Sequence, residues 1–185
     1  HNNITGTVEL LEYARGLKNL ETFFYFSTDE VFGPAPDGIL YEENDRYNST
    51  NPYSASKAGG EELAVAFHNT YGVPVYITHT MNVFGQRQHP EKYIPMCIKR
   101  ARDGETVTIH SDPTKKIPGS RHYIHAEDVA DALLFLLDQP PVEELNWGGA
   151  KCPKFNIVGA EELNNLELAQ IIADAQGKEF KYELI

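Results

Sequence analysis

The amino-acid sequence predicts an α/β fold built on a mainly parallel sheet. Segments with the apolar spacing of helices alternate along the chain with short apolar runs that are typical of strands. The run at 21–27 is aromatic and apolar, which is typical of a strand in a parallel sheet covered on both faces, and 73–80 is a second buried strand. Helices are therefore expected on both faces of the sheet.

Five helices are predicted in chain order. They cover 4–13, 53–71, 94–103 and 125–137, and a last helix is capped by Asn165 and ends at Ala175. Gly16 and Gly72 follow the first two helices, and glycine is the usual residue just beyond a helix end.

Further strands and three loops are predicted between these helices. The strands cover 106–110 and 154–158. The loops cover 33–51, 82–95 and 111–120, where proline, glycine, asparagine or aspartate residues recur.

Composition argues against several classes of function. The 185 residues include 27 acidic and 16 basic side chains, which give a net charge of −11. This charge argues against a nucleic acid or an anionic membrane as the partner. No apolar run reaches the roughly 20 residues of a membrane span. Cys97 and Cys152 are far apart and the histidines lack metal-ligand spacing, so we expect a reduced, cytoplasmic protein without a metal site.

Tyr53 and Lys57 form the strongest local candidate for chemistry. They lie four residues apart at the start of a predicted helix and therefore share one face of it. A free phenol, with a pKa of about 10, is a poor base near neutral pH, and a nearby ammonium favours the phenolate. The same spacing also occurs by chance in many helices.

Two adjacent acids, Asp29 and Glu30, directly follow the first predicted strand. Two carboxylates in one site shift each other's pKa values apart, which yields a general acid and a general base from one kind of side chain. By position alone, the pair could equally be the solvated end of a strand.

Motifs along the chain resemble those of the extended short-chain dehydrogenase/reductase family. Within it they are most similar to the nucleotide-sugar 4,6-dehydratases, above all those that act on dTDP-glucose. The resemblance rests on STDEVFG at 27–33, PYSASK at 52–57, the loop at 82–95, RHYIHAED at 121–128 and FNIVG at 155–159.

The resemblance implies an NAD-dependent hydro-lyase. Tyr53, supported by Lys57, would take the proton of the sugar 4-hydroxyl while hydride passes from carbon 4 to NAD. Glu30 would then remove the proton on carbon 5, and Asp29 would donate a proton to the departing 6-hydroxyl. Thr28 would hydrogen-bond the sugar near position 4. Tyr53 and Lys57 would also contact the cofactor.

The resemblance further implies a nucleotide-diphosphate sugar as substrate and a homodimer. The dimer would form through the helices that start near Asn3 and Tyr53. Arginine suits bidentate phosphate recognition, and Arg121 is the strongest candidate. The implied substrate-binding residues are Asn82, Lys92, Tyr93, Thr108, Ile109, His110 and Arg121.

The implied fold is the second half of a Rossmann-type parallel sheet with helices on both faces, plus part of a small substrate-binding domain. The catalytic half of the NAD(P)-binding domain would cover 1–81 and 125–160, and the nucleotide-sugar-binding part would cover 82–124 and 161–185. The family's Gly-x-x-Gly-x-x-Gly turn is absent from the sequence. We therefore expect an internal fragment that lacks about three βα units, on the order of 90 residues, upstream.

Three departures from the dehydratase pattern leave the nucleotide open. Glu161 takes the place of an asparagine, His122 that of an acid and Val83 that of a second asparagine. UDP-glucose is therefore an alternative substrate. Two other functions remain: a nucleotide-sugar 4-epimerase in which Asp29 and Glu30 are idle, and a non-catalytic folded fragment that does not bind NAD.

Overall fold

The computed structural model describes residues 1–36, 38–139 and 152–185. Residues 140–151 of the predicted catalytic half thus lie outside the described residues. The chain divides into two units: unit 1 holds His1–Thr80 and Ala130–Ile157, and unit 2 holds Met81–Val129 and Val158–Ile185.

The described residues form five α-helices and nine strands in the alternating order of an α/β fold, which confirms the predicted class. A π-helical turn, Asn2–Gly6, precedes α1, and a 3-10 turn, Asp29–Val31, follows β1. The helices are α1 Thr7–Arg15, α2 Pro52–Tyr71, α3 Tyr93–Asp103, α4 Ala126–Leu137 and α5 Asn165–Ala175. The strands are β1 Phe23–Thr28, β2 Val75–Thr80, β3 Val83–Phe84, β4 Thr106–Ile109, β5 Ser120–His122, β6 Ile124–His125, β7 Lys154–Ile157, β8 Glu162–Asn164 and β9 Lys181–Leu184.

Unit 1 contains a parallel sheet in the order β1-β2-β7. Thr28 and Thr80 are register partners, so the carboxyl ends of β1 and β2 lie side by side. One face of the sheet packs against α1 and α2, and the other packs against Leu136 of α4. The larger core, on the α1 and α2 face, includes Leu11, Tyr25, Ala64, Phe67, Val75 and Ile77.

Unit 2 is built from three separate two-stranded pairings. β4 pairs in parallel with β9, β3 in parallel with β6, and β5 antiparallel with β8. Its core includes Cys97 of α3, Val107 and Ile109 of β4, and Ala169 of α5. These contacts pack α3 and α5 against the first of the three pairings.

Several details of the structure differ from the sequence predictions. The last helix is capped by Asn164, not Asn165, because the Asn164 side chain accepts from the backbone N–H of Glu167 while the Glu167 carboxylate accepts from the Asn164 N–H. β1 is not buried throughout, since Phe26 is 44% exposed. β3 lies inside the predicted loop at 82–95. Among the described residues, no helix is long and apolar enough to cross a membrane.

Candidate active site

The two adjacent acids lie on a tight turn that ends β1. Thr28 is still extended, and its hydroxyl accepts from the Glu30 N–H at 3.4 Å and donates to Asp29 Oδ1 at 3.1 Å. Val31 and Phe32 are buried and anchor the far side of the turn in the core. Because the backbone turns at once, Asp29 and Glu30 do not alternate across a sheet as residues of a continuing strand would.

Helix α2 begins beside this turn with a strong N-terminal cap. The Asn51 side-chain oxygen accepts from the Ser54 N–H at 2.9 Å, and Pro52 occupies the first helical position. The Asn51 side-chain nitrogen donates to Glu30 Oε2 at 3.0 Å. Tyr53 lies in the first turn and is 52% exposed. The cap thereby connects the helix that carries Tyr53 to the turn that carries the acids.

The electrostatic surroundings of Tyr53 differ from the sequence expectation. Partial burial raises the pKa of Tyr53, and the negative charges of Glu30 and Asp29 raise it further. We expected Lys57 and a cationic cofactor together to lower this pKa. Instead, the Lys57 ammonium donates to the Phe26 carbonyl and lies 4.6 Å from the Tyr25 ring centroid. Burial lowers the pKa of Lys57.

Unit 1 therefore brings together the five predicted catalytic residues. Thr28, Asp29 and Glu30 form the turn after β1, and Tyr53 and Lys57 lie in the first two turns of α2. The electrostatic effect of both acids on Tyr53 and the contact of Lys57 with β1 tie the two groups to one end of the sheet. Their catalytic roles stay predictions.

A buried polar network behind this site was not predicted. Glu61 of α2 is fully buried and accepts from Lys154 Nζ at 2.9 Å and from Tyr47, and it lies 3.2 Å from the His79 imidazole. Asn156 contacts the other ring nitrogen of His79 at 3.0 Å. Glu61 follows Lys57 by four residues, so both lie on the helix face that packs against the sheet. An acid on that apolar face is the sequence signal that the predictions did not use.

Unit 2 holds the predicted substrate-binding residues in different settings. Arg121 lies in β5, is exposed and donates to the Ser120 carbonyl at 2.7 Å. Asn82 has a positive φ of 28° and donates to the His122 carbonyl at 3.2 Å. Lys92 is exposed just before α3. These three side chains have polar groups near solvent.

Tyr93 and β4 are more tightly packed. The Tyr93 hydroxyl donates to the Asn165 carbonyl at 2.5 Å, and burial raises the pKa of this phenol. The side chain of Ile109 is fully buried in the core of unit 2. Thr108 accepts from Arg100 at 3.4 Å, while His110 is exposed. The packing thus leaves His110 as the most accessible side chain of the predicted 108–110 segment.

The described residues of unit 1 fit one end of a dinucleotide. Nucleotides bind outside the carboxyl ends of parallel strands, and Tyr53 and Lys57 lie at the carboxyl end of β1. A half-exposed phenol can hydrogen-bond a reacting hydroxyl, and an ammonium can donate to a ribose. The sequence contains no glycine triplet of the kind that cradles a diphosphate. The residues present therefore suit the reactive end of the cofactor.

Comparison with known proteins agrees with this geometry. Residues 1–148 match the family described as "NAD dependent epimerase/dehydratase family". The chain is 38% identical over 175 residues to the low-salt glycan biosynthesis protein Agl12 of Haloferax volcanii, covering 95% of this chain and 52% of that protein. It spans about half the length of this relative.

Two further relatives carry 4,6-dehydratase names. The first is the trifunctional UDP-glucose 4,6-dehydratase/UDP-4-keto-6-deoxy-D-glucose 3,5-epimerase/UDP-4-keto-L-rhamnose-reductase RHM1 of Arabidopsis thaliana, 39% identical over 86% of this chain and 24% of that protein. The second is the crystal structure of dTDP-glucose 4,6-dehydratase from Bacillus anthracis in complex with NAD. It superposes with a TM-score of 0.82 at 29% identity, over 99% of this chain and 55% of that one.

These findings agree with the cofactor and the resemblance predicted from the sequence. NAD appears both in the description of the matching family and in the Bacillus anthracis complex. The family match covers more than half of the chain, and the fold of the solved relative covers nearly all of it. The chain therefore belongs to the NAD dependent epimerase/dehydratase family.

Proposed function

We propose that the complete protein is an NAD-dependent nucleotide-sugar 4,6-dehydratase. It converts dTDP-glucose, or a close analogue such as UDP-glucose, to the 4-keto-6-deoxy sugar nucleotide. One observation supports this above all: two carboxylates, Asp29 and Glu30, lie on a turn close enough to Tyr53 to raise the pKa of its phenol. Dehydration needs an acid and a base beside the tyrosine that deprotonates the sugar 4-hydroxyl, whereas simple oxidation does not.

Each side chain has a distinct task in this reaction. Tyr53 removes the proton of the sugar 4-hydroxyl, and Thr28 hydrogen-bonds the sugar near that position. Bound NAD supplies a reversible hydride acceptor. Glu30 removes the proton on carbon 5 once carbon 4 is a ketone, and Asp29 gives a proton to the 6-hydroxyl that leaves as water. Return of the hydride to carbon 6 and of the proton from Glu30 to carbon 5 would then give the 6-deoxy product and leave the cofactor oxidised. The Thr28 hydroxyl can donate to an ionised Asp29 or accept from a protonated one.

Tyr53 needs positive charge nearby to act as a base. Burial, Glu30 and Asp29 all disfavour its phenolate. The ammonium of Lys57 and the positive charge of oxidised NAD must therefore outweigh these three effects. Lys57 is suited to this because its own contacts hold it at the carboxyl end of β1.

The substrate diphosphate and the dimer belong to the same proposal. Arg121, Asn82 and Lys92 are polar and near solvent, as contacts to a diphosphate require.

α1 exposes Leu10 and Tyr13, which suits a homodimer formed through α1 and α2. We place the enzyme in the cytoplasm, where sugar nucleotides are substrates.

A nucleotide-sugar 4-epimerase is the second candidate, because the family includes epimerases as well as dehydratases. It would use Tyr53 and Lys57 and leave the acids idle. To decide, the complete protein is incubated with NAD and dTDP-glucose or UDP-glucose, and the products are identified by NMR and mass spectrometry. A 4-keto-6-deoxy product supports the proposal, and a 4-epimer formed without loss of water overturns it.

A further inference from the structure

One side chain joins the two halves of the candidate active site. The Asn51 side-chain oxygen caps α2 by accepting from the Ser54 N–H at 2.9 Å. The nitrogen of the same amide donates to Glu30 Oε2 at 3.0 Å. Tyr53 lies two residues after Asn51, in the helix that this amide caps.

We propose that Asn51 is a positioning residue that holds the Glu30 carboxylate in register with Tyr53. The proposal rests on the proposed function, in which Glu30 removes the proton on carbon 5 and Tyr53 removes the proton of the sugar 4-hydroxyl. Asn51 touches neither a reacting atom nor the cofactor in this scheme, and it acts through Glu30.

The chemistry of the amide makes this arrangement directional. The two ends of an asparagine amide differ: the oxygen accepts hydrogen bonds and the nitrogen donates them. Since the helix cap requires the oxygen at the Ser54 N–H, the nitrogen is left to face Glu30. Rotating the amide by half a turn would lose both hydrogen bonds. The helix cap therefore also sets the orientation of the carboxylate.

The Glu30 carboxylate needs a contact that holds it in place. It is an exposed side chain with several rotatable bonds, on a turn of three residues. Its backbone N–H is held by Thr28, which fixes the turn but not the carboxylate. A base must lie within hydrogen-bonding reach of the proton that it removes, and misplacement by about 1 Å can cost about 100-fold in rate.

A purely structural role for Asn51 predicts a different outcome, and α5 offers a matched control. Asn164 caps α5 in the way that Asn51 caps α2, because its side-chain oxygen accepts from the Glu167 N–H at 2.8 Å. α5 belongs to unit 2 and carries none of the proposed catalytic residues. If Asn51 only caps a helix, equivalent changes at Asn51 and Asn164 should have comparable effects.

Two substitutions separate capping from positioning. Asn51→Ser keeps a side-chain cap acceptor and removes the amide that reaches Glu30, and Asn51→Asp keeps the acceptor and places a second carboxylate toward Glu30. In the complete protein we expect kcat for dehydration to fall about tenfold in the first and about 100-fold in the second, with KM changed less than about threefold. Asn164→Ser and Asn164→Asp should keep kcat within about twofold.

A second readout needs no turnover. In the chain described by the structure, the NMR signal of the Asn51 side-chain amide should differ between the wild type and Glu30→Gln at pH 7, because the substitution replaces the carboxylate that this amide contacts. The proposal would be overturned if both Asn51 variants kept the wild-type kcat, or if the Asn51 amide signal were the same in the wild type and in Glu30→Gln. The proposed function fails separately if Glu30→Gln itself dehydrates the sugar at the wild-type rate.

Discussion

The Glu61 carboxylate and the His79 imidazole lie 3.2 Å apart, and both side chains are fully buried. Glu61 also accepts from Lys154 and Tyr47. The network thus connects α2, β2, β7 and the segment between β1 and α2. Such a network holds the middle of α2, the helix that carries Tyr53, against the sheet.

The first prediction concerns acid stability. Burial raises the pKa of Glu61, but the hydrogen bonds and charges of His79 and Lys154 outweigh it, so the folded-state pKa is lowered. A lowered pKa stabilises the fold above the unfolded pKa of about 4.3, and this stabilisation is lost as pH falls through the folded value. Urea unfolding between pH 7 and pH 3 should show this loss.

Substitution of Glu61 tests the same network. Glu61→Gln should lower the free energy of unfolding at pH 7 by about 3 kcal/mol, because Lys154 is left partly buried without its counter-charge. The adjacent Glu62 is exposed, so Glu62→Gln changes the same charge and should cost less than about 0.5 kcal/mol. Equal losses in the two variants would contradict a role for the buried pair.

The second prediction concerns two neighbouring glycines of α2. A Cβ at Gly60 would collide with the Tyr25 hydroxyl and the Asn3 carbonyl, whereas at Gly59 the nearest atom is Ile4 Cδ1 at 2.7 Å. Gly60→Ala should therefore destabilise the fold by about 2 kcal/mol, despite the better helix propensity of alanine.

Gly59→Ala is the matched control, because the end of the flexible Ile4 side chain can rotate away. We expect it to leave stability unchanged or to raise it by up to about 1 kcal/mol. Chemical denaturation of the two variants makes the comparison, and a Gly60→Ala variant as stable as Gly59→Ala would rule out the close approach of α2 to β1.

The third prediction concerns the phenol of Tyr53. Burial raises its pKa first, and the charges of Glu30 and Asp29 raise it further. Glu30→Gln should therefore lower the pKa of Tyr53 towards its ordinary value, while Glu21→Gln, at the other end of β1, should leave it unchanged. Titration of carbon-13-labelled tyrosine by NMR provides the measurement. If the pKa of Tyr53 does not fall in Glu30→Gln, the charge of Glu30 does not act on the phenol.

The fourth prediction concerns the proposed homodimer. Leu10 and Tyr13 of α1 are 60% and 69% exposed, and their spacing of three residues places them on one face of the helix. Leu10→Glu should shift the complete protein from dimer to monomer in analytical ultracentrifugation, because a charge would be buried without a partner. Ile171→Glu on α5, a residue that is 53% exposed, should leave the dimer intact. A wild-type protein that sediments as a monomer would contradict the proposal.

Long, locally encoded elements were predictable from the sequence. α2 has a proline at its first position and a glycine after its end, and its predicted range differs by one residue from Pro52–Tyr71. The two-residue strands β3 and β6 were missed because their pairing joins segments that are distant in sequence. The cap of α5 was assigned to the wrong member of an asparagine pair, since either could cap and only backbone geometry distinguishes Asn164 from Asn165.

In the candidate site too, contiguous motifs were predictable from the sequence and contacts between distant segments were not. Tyr53, Lys57, Asp29 and Glu30 could be named from sequence motifs, because each motif is contiguous. The contacts of Asn51 with Glu30 and of Glu61 with His79 could not, because they depend on where separate elements meet. The rise in the pKa of Tyr53 that the two acids cause could not be predicted either, because the positions of Lys57 and the acids around the phenol are set by tertiary structure.

The most direct test of the central claim is the rate of water loss from a nucleotide sugar in Glu30→Gln. The complete protein, with NAD and dTDP-glucose or UDP-glucose, should form the 4-keto-6-deoxy product by NMR, and Glu30→Gln should slow this at least about 100-fold. Glu42→Gln, an exposed acid in the following loop, should retain the wild-type rate. Dehydration by Glu30→Gln at the wild-type rate would contradict the account.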